Sequence, residues 1–323
     1  MHIESATNLA PLTWARTADM GNLDPAHAGK MSWQPAEKMH NIPARIPGYR
    51  VRIDIRRWLT QALHFSIVKA PHRINLLLAG PPGSGKTTQA EQFFAALGVP
   101  LDRKNASPTD MANDLFYTQS YNAEQGHHLT PGPMFNAFTR GYPFIMNEAF
   151  AMAPSELLAL NDVIERGLFM LPNGDEIEAA PGFMLIFTDN TLGTGDMTGS
   201  CAGTQTQNAS VLDRLVTLWV GYMEPAEELE AALLPFQDDP AARASAEPVA
   251  NRIIQLANAI RNSSVMGGNF STRQVCSLTY ETAAFAILNT YGEDPYAFVL
   301  QARLLNKLSD EERLAVVKMD GGK

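Results

Sequence analysis

The sequence predicts an α/β chain with a parallel sheet flanked by helices, followed by a small all-α domain. Three observations carry that prediction. Short apolar runs at residues 74–79, 144–146, 183–187 and 215–220 have the length and two-sided apolarity of buried parallel strands. Segments of helical period separate them, and that alternation builds a parallel sheet covered on both faces. After Glu224-Pro225 the strand pattern stops, and Ala and Leu recur at helical spacing as far as residue 318.

Each element follows from its residues in order. Residues 1–45 are rich in Ala, Pro, Asn, Gly and His without a sustained period, so they read as an N-terminal arm or linker. Ile53, Ile55, Trp58, Leu59, Ala62 and Leu63 recur near a helical period and predict an amphipathic helix. The run 74–79 is a buried strand, then comes a glycine loop, then a helix over 87–97. Gly141-Tyr142-Pro143 breaks the chain before the strand at 144–146. Pro154 and Ser155 suit the first turn and cap of a helix over 155–166. Residues 168–170, the turn Pro172-Asn173-Gly174-Asp175 and Ile177 form a hairpin pattern. Strands at 183–187 and 215–220 follow, separated by a polar loop over 199–208. The α/β domain is placed at 46–223 and the helical lid domain at 224–323. Asp238-Asp239-Pro240 and Gly267-Gly268 interrupt the lid.

Bulk properties narrow the function classes. A chain of 323 residues suffices for two domains. Its net charge of −9 argues against nucleic acid as the partner, because that grip needs an excess of Lys and Arg. No apolar run approaches the roughly 20 residues of a bilayer span, and the first twenty residues lack an apolar core, so no membrane partner and a cytoplasmic location are expected. Cys201 and Cys276 have no metal-ligand spacing, which suits a reducing compartment. The adjacent His127 and His128 read as a polar loop tip.

The chemistry concentrates in a few short motifs. Gly80, Pro81, Pro82, Gly83, Ser84, Gly85, Lys86 and Thr87, followed by Thr88, match G-x₄-G-K-[ST] in full. Glycines let backbone N–H groups converge on phosphate oxygens at a helix N-terminus, where the helix dipole also favours an anion. Lys86 can reach the β- and γ-phosphates and the Thr87 hydroxyl can ligate Mg²⁺, so ATP and Mg²⁺ are the expected ligands. Some sixty residues on, the 144–146 strand ends in Asn147 and Glu148. Glu148 is the candidate general base for the attacking water. Asn147 is a candidate at the metal, where its neutral amide contributes no charge. Asn190 ends another strand and can hold the lytic water, with Asp189 as the competing choice. Arg214 and Arg273 are candidates to meet the γ-phosphate.

These residues together resemble AAA+ ATPases of the MoxR-type clade. The segment Thr188-Asp-Asn-Thr-Leu-Gly-Thr-Gly-Asp-Met-Thr-Gly, with Gly203-Thr-Gln, Asn208 and Leu212-Asp-Arg, is most similar to the ATPase subunit of aerobic cobaltochelatase and its relatives (CobS-like). The resemblance covers about residues 45–290. It implies an AAA+ P-loop NTPase fold with a helical lid. Lys86 and Thr87 would then bind ATP-Mg²⁺, Asn147 and Glu148 form the second acidic motif, and Asn190 act as first sensor. It implies Arg214 as the arginine finger entering a neighbouring subunit's site and Arg273 as the second sensor. A family insert would fall in residues 110–129 and a hairpin before the first sensor in 168–180. A homo-oligomer, typically a hexamer, and a partner with a von Willebrand A-type (VWA) domain are implied as well. Asn147 stands where the family usually has Asp. Cys201 stands where the chelatase ATPases tend to have an aromatic residue.

Overall fold

The computed structural model describes residues 10–19, 31–36, 40–122, 126–195, 203–288, 292 and 294–321. They divide into two compact units, residues 1–80 with 86–219, and residues 81–85 with 220–323.

The first unit opens with β1 (Trp14–Asp19) and β2 (Met31–Pro35), an antiparallel ribbon within the segment read as an arm. Leu12 is buried, and its N–H donates to the Arg140 carbonyl at 2.7 Å. The Trp14 indole donates to the Pro181 carbonyl at 2.8 Å. Next come α1 (Ile53–Ile67), β3 (Asn75–Ala79), α2 (Lys86–Leu97) and β4 (Asp102–Asn105). Ile55, Leu59, Ala62 and Leu63 form the buried face of α1, whereas Ile53 and Trp58 are exposed. The second ribbon pairs β5 (Tyr117–Asn122) with β6 (Gly126–Pro131). His127 and His128 therefore lie in a strand and not in a loop tip, because the antiparallel ladder extends through both. Then follow α3 (Phe135–Arg140), β7 (Phe144–Asn147), α4 (Pro154–Ala159) and α5 (Asn161–Glu165). The single helix expected over 155–166 is thus two. Leu160, fully buried, has ψ near 2° and turns the chain between them. Pro154 holds the first turn as expected, but Ser155 is not the cap.

The expected hairpin is present as β8 (Leu168–Met170) and β9 (Glu176–Glu178). After it run β10 (Leu185–Asp189), α6 (Ala209–Leu212) and β11 (Leu215–Trp219). The central sheet is parallel throughout, in the order β11-β3-β10-β7-β4. β10 starts two residues later than its apolar run. The side-chain carbonyl of buried Asn75 accepts the Leu185 N–H at 2.8 Å while its amide donates to the Ile164 carbonyl at 2.6 Å. β4 was not legible as a strand. It lies at the sheet edge, where alternating exposed positions tolerate Asp102, Arg103 and Lys104. The core of this unit includes Phe116, Phe138, Phe144, Phe150, Phe183 and Phe187.

The second unit is helical beyond the loop residues 81–85: α7 (Pro225–Leu233), α8 (Pro240–Arg261), α9 (Thr272–Leu288), α10 (Pro295–Arg303) and α11 (Asp310–Met319). The breakers act as caps. Pro225 occupies the first turn of α7, and the Asp239 carboxylate accepts from Ala241 and Ala242 N–H groups to open α8. Ser309 and Glu312 form a capping box on α11. No helix among the described residues is long and apolar enough to cross a membrane.

Candidate functional site

Parallel register brings the polar strand ends into one row. Ala79 pairs with Asp189, Thr188 with Asn147, and Asn147 with Asn105, so the C-terminal tips of β3, β10, β7 and β4 share an edge. α2 and β4 leave β3 to one side, while β10 connects to β11 on the other. Such a reversal of direction opens a crevice at the strand tips, the usual ligand position in doubly wound sheets.

Lys86 opens α2 and is buried, with 8% exposure. Its ammonium donates to the Gly80 carbonyl and to Asn190 Oδ1, both at 2.8 Å. Thr87 Oγ1 donates to Asn147 Oδ1 at 2.8 Å. The same oxygen accepts from Thr188 Oγ1 at 3.1 Å, and Asn147 Nδ2 donates to Asn105 Oδ1 at 3.0 Å. Lys86, Thr87, Asn147 and Asn190 thus meet through direct hydrogen bonds. Asn105, and the part of Thr188 in this hydrogen-bonded set, were not expected from the sequence. Thr188 directly follows the 183–187 run and Asn105 ends a strand that carries no apolar signal.

The alternatives at the tip of β10 separate cleanly. Asp189 turns inward and accepts from the N–H groups of Phe150 at 3.0 Å and Thr191 at 2.8 Å, and from the Thr191 hydroxyl at 3.0 Å. Burial pushes its carboxyl above the usual range, against these hydrogen bonds. Asp189 ties down the loop after β10, and Asn190 is the one that meets Lys86. Glu148 follows β7 in the left-handed backbone region (φ 51°, ψ 42°) and is exposed, with no hydrogen bond to its carboxylate among the described residues. A non-glycine residue held there costs on the order of 1–3 kcal/mol, a strain that collects at functional sites.

The loop ahead of Lys86 is also constrained. Gly83 has φ +68°, and a Cβ added there would fall 2.6 Å from the Cβ of Ser271 and 3.5 Å from that of Arg273. Only glycine meets both demands. Arg273, near the start of α9, is exposed and sits beside Gly83 within the second unit.

Arg214 is not in this group. It immediately precedes β11, whose Leu215 pairs with Asn75 and whose Trp219 pairs with Ala79. At about 3.3 Å per residue, the length of β3 puts Arg214 roughly 13–16 Å along the strands from the phosphate-loop end of the sheet. Its partners are Glu165 and Ser210. Cys201 and residues 196–202 of the 188–215 signature lie outside the described residues. Among the described residues no three His, Cys, Asp or Glu side chains gather as metal ligands.

Residues 75–204 match the AAA domain (dynein-related subfamily). An uncharacterised protein of Staphylococcus haemolyticus is 34% identical over 157 residues, 46% of this chain and 56% of that protein. The chain therefore spans only a little over half the length of the staphylococcal relatives it matches. The aerobic cobaltochelatase subunit CobS of a Sinorhizobium species is 24% identical over 253 residues, covering 76% of this chain and 74% of that protein. Among solved structures, NtrX from Brucella abortus in complex with ADP superposes with TM-score 0.51 at 16% identity, over 83% of this chain and 58% of that one. A Thermotoga maritima RuvB variant gives TM-score 0.51 at 15% identity, over 87% and 86%.

Proposed function

We propose that this chain, an AAA+ P-loop NTPase by fold and similar to CobS, binds ATP with Mg²⁺ and hydrolyses it in a ring of identical copies. The observation that carries the reading is the hydrogen-bonded set Lys86–Asn190 and Thr87–Asn147 at the tips of three adjacent strands. The residues present fit the ligand. Lys86 supplies a buried ammonium and α2 an N-terminus, and the positive-φ glycines 83 and 85 leave the loop backbone open to phosphate oxygens. Thr87 and Asn147 would hold Mg²⁺, which would supply charge neutralisation at the phosphates.

Each residue then has a role in hydrolysis. Glu148 accepts a proton from the attacking water as the water oxygen adds to the γ-phosphorus and the bridging oxygen leaves with ADP. Asn190 holds that water and steadies Lys86. The resemblance gives Arg273, beside Gly83, the role of second sensor. Arg214 lies at the opposite strand ends from its own phosphate loop, which suits a group that acts on a neighbour's nucleotide.

The test mixes inactive subunits. Glu148→Gln alone is expected to cut ATP turnover by about 10²–10⁴-fold, the range for removing a general base. Arg214→Ala copies should be inactive alone, yet mixtures with Glu148→Gln copies should regain activity at interfaces that pair an intact Arg214 with an intact Glu148. If no mixture exceeds either parent, Arg214 does not act across subunits.

The output of such a ring is remodelling of a protein partner, for which the MoxR- and CobS-like resemblance suggests a VWA-domain protein. Two further readings remain in view: the ATPase component of a cobalt chelatase, supported by the likeness to CobS, and a slowly hydrolysing, nucleotide-gated scaffold. Asn147 favours the scaffold, because its amide adds no negative charge at the metal. Asn147→Asp is expected to raise Mg²⁺-dependent turnover several-fold and to lower the Mg²⁺ needed for half-maximal rate. Unchanged Mg²⁺ titrations would remove the weak-metal reading.

A further inference from the structure

We infer that Glu165 and Ser210 are positioning residues for Arg214, holding its guanidinium at Nε and Nη1 so that Nη2 is left for an acceptor from outside the subunit. The inference rests on the reading of Arg214 as a group that meets a neighbour's phosphate, and it names what makes that encounter productive.

A guanidinium carries five N–H donors: one on Nε and two on each terminal nitrogen. In Arg214, Nε donates to Glu165 Oε2 at 2.8 Å, and Nη1 donates to both the Ser210 carbonyl at 2.6 Å and Ser210 Oγ at 2.8 Å. That accounts for three donors. The two on Nη2 meet no acceptor among the described residues. The holding groups are themselves held. Asn208 caps α6 by accepting the Ser210 N–H at 2.9 Å, and Asn161 Nδ2 reaches Ser210 Oγ at 3.3 Å. Glu165 is the last residue of α5. α5, α6 and the start of β11 therefore converge on one side chain.

The surroundings are of mixed charge, four basic and three acidic side chains. Arg214 and Glu165 line a cleft of about 740 Å³ together with Lys69, Arg73, Arg166, Glu178 and Asp213. Within it, Lys69 is paired with Glu178 at 2.9 Å and Arg166 with Asp162 at 2.8 Å, so neither competes for Glu165. A free arginine has to surrender the freedom of a long side chain when it meets a phosphate, whereas a clamped one has already done so. The clamp is not needed for folding. Glu165 is 57% exposed, and a surface ion pair of this type contributes little to stability.

The experiment compares ATPase kcat and KM for wild type, Glu165→Ala, Ser210→Ala, Glu165→Gln, Arg214→Ala and the double variant Glu165→Ala/Arg214→Ala. Misplacement of a catalytic group by about 1 Å can cost about 100-fold, so loosening one of three bonds is expected to lower kcat about tenfold. KM for ATP should stay within about twofold, because the contact that the clamp serves is made chiefly in the transition state. Glu165→Gln keeps an acceptor oxygen and should restore most of the rate. The double variant should match Arg214→Ala alone, because Glu165 acts only through that arginine. If Arg214→Ala is impaired while Glu165→Ala runs at the wild-type rate, the positioning role is wrong and the reading of Arg214 stands. An additive loss in the double variant also overturns it. Wild-type turnover in Arg214→Ala removes the reading and the inference together.

Discussion

Lys86→Ala is expected to abolish ATP binding while leaving the fold intact. The ammonium has no substitute in the site. It is buried and held at the loop by the Gly80 carbonyl and Asn190 Oδ1, bonds that it would exchange for phosphate oxygens when ATP binds. Hydrogen bonds to charged groups are worth about 1.5–3 kcal/mol each, and loss of two at the phosphates amounts to about 3 kcal/mol or more. That corresponds to at least about a 100-fold rise in Kd. Calorimetric titration with ATP reads it directly. Alanine is a better helix former than lysine at the start of α2, so the thermal midpoint should change little. Retained affinity in a folded Lys86→Ala protein would place the nucleotide elsewhere.

Glu228→Ala should produce the largest loss of stability. Glu228, in α7, is wholly buried and accepts three hydrogen bonds: from Arg261 Nη1 at 2.8 Å, from Arg261 Nη2 at 2.7 Å and from Thr272 Oγ1 at 2.7 Å. Arg261, in α8, also donates through Nε to the Phe270 carbonyl at 2.8 Å and lies over the Tyr222 ring at 4.2 Å. One buried ion pair therefore joins α7, α8 and the start of α9. Deleting the carboxylate leaves a guanidinium uncompensated in the interior, at a cost of about 3–5 kcal/mol. For a unit of about a hundred residues, that lowers its thermal midpoint by roughly 12 °C or more. Differential scanning calorimetry measures the shift. The double replacement Glu228→Leu/Arg261→Met, which removes both charges, should recover much of the loss. A single-variant shift below about 4 °C, the equivalent of under 1 kcal/mol, would show that the pair is not a structural charge centre. The consequence reaches function because Thr272 immediately precedes Arg273 in α9 and Ser271 packs against Gly83.

Much of the first unit was legible because its signals are local. The phosphate loop is a contiguous run whose glycines answer a backbone requirement. The strands β3, β7 and β10 announce themselves as apolar because they are interior to the sheet, and β11 is apolar in sequence although it lies at the edge with alternating exposed positions. Asn147 and Asn190 were legible as polar residues at the ends of such runs. β4 was not, since an edge strand needs no apolar signature, and with it went Asn105. The choice between Asp189 and Asn190 stayed open in the sequence, because two adjacent polar residues at a strand tip look alike until one is seen turned inward to Phe150 and Thr191.

Two pairings lay further out of reach. Arg214 and Glu165 are 49 positions apart, and Glu228 and Arg261 are 33 apart. No period or motif links them. The sequence by itself determined the phosphate loop, the alternation of strand and helix, and the turn to an all-helical second unit, because each is written in neighbouring residues through backbone conformation and periodicity. Only the tertiary structure decided that Lys86 meets Asn190, that Asn147 is shared among Thr87, Thr188 and Asn105, and that Arg214 is clamped at the opposite strand ends. Those facts depend on the order and register of parallel strands. Long crossovers set that order and register, and no short stretch of the chain encodes them.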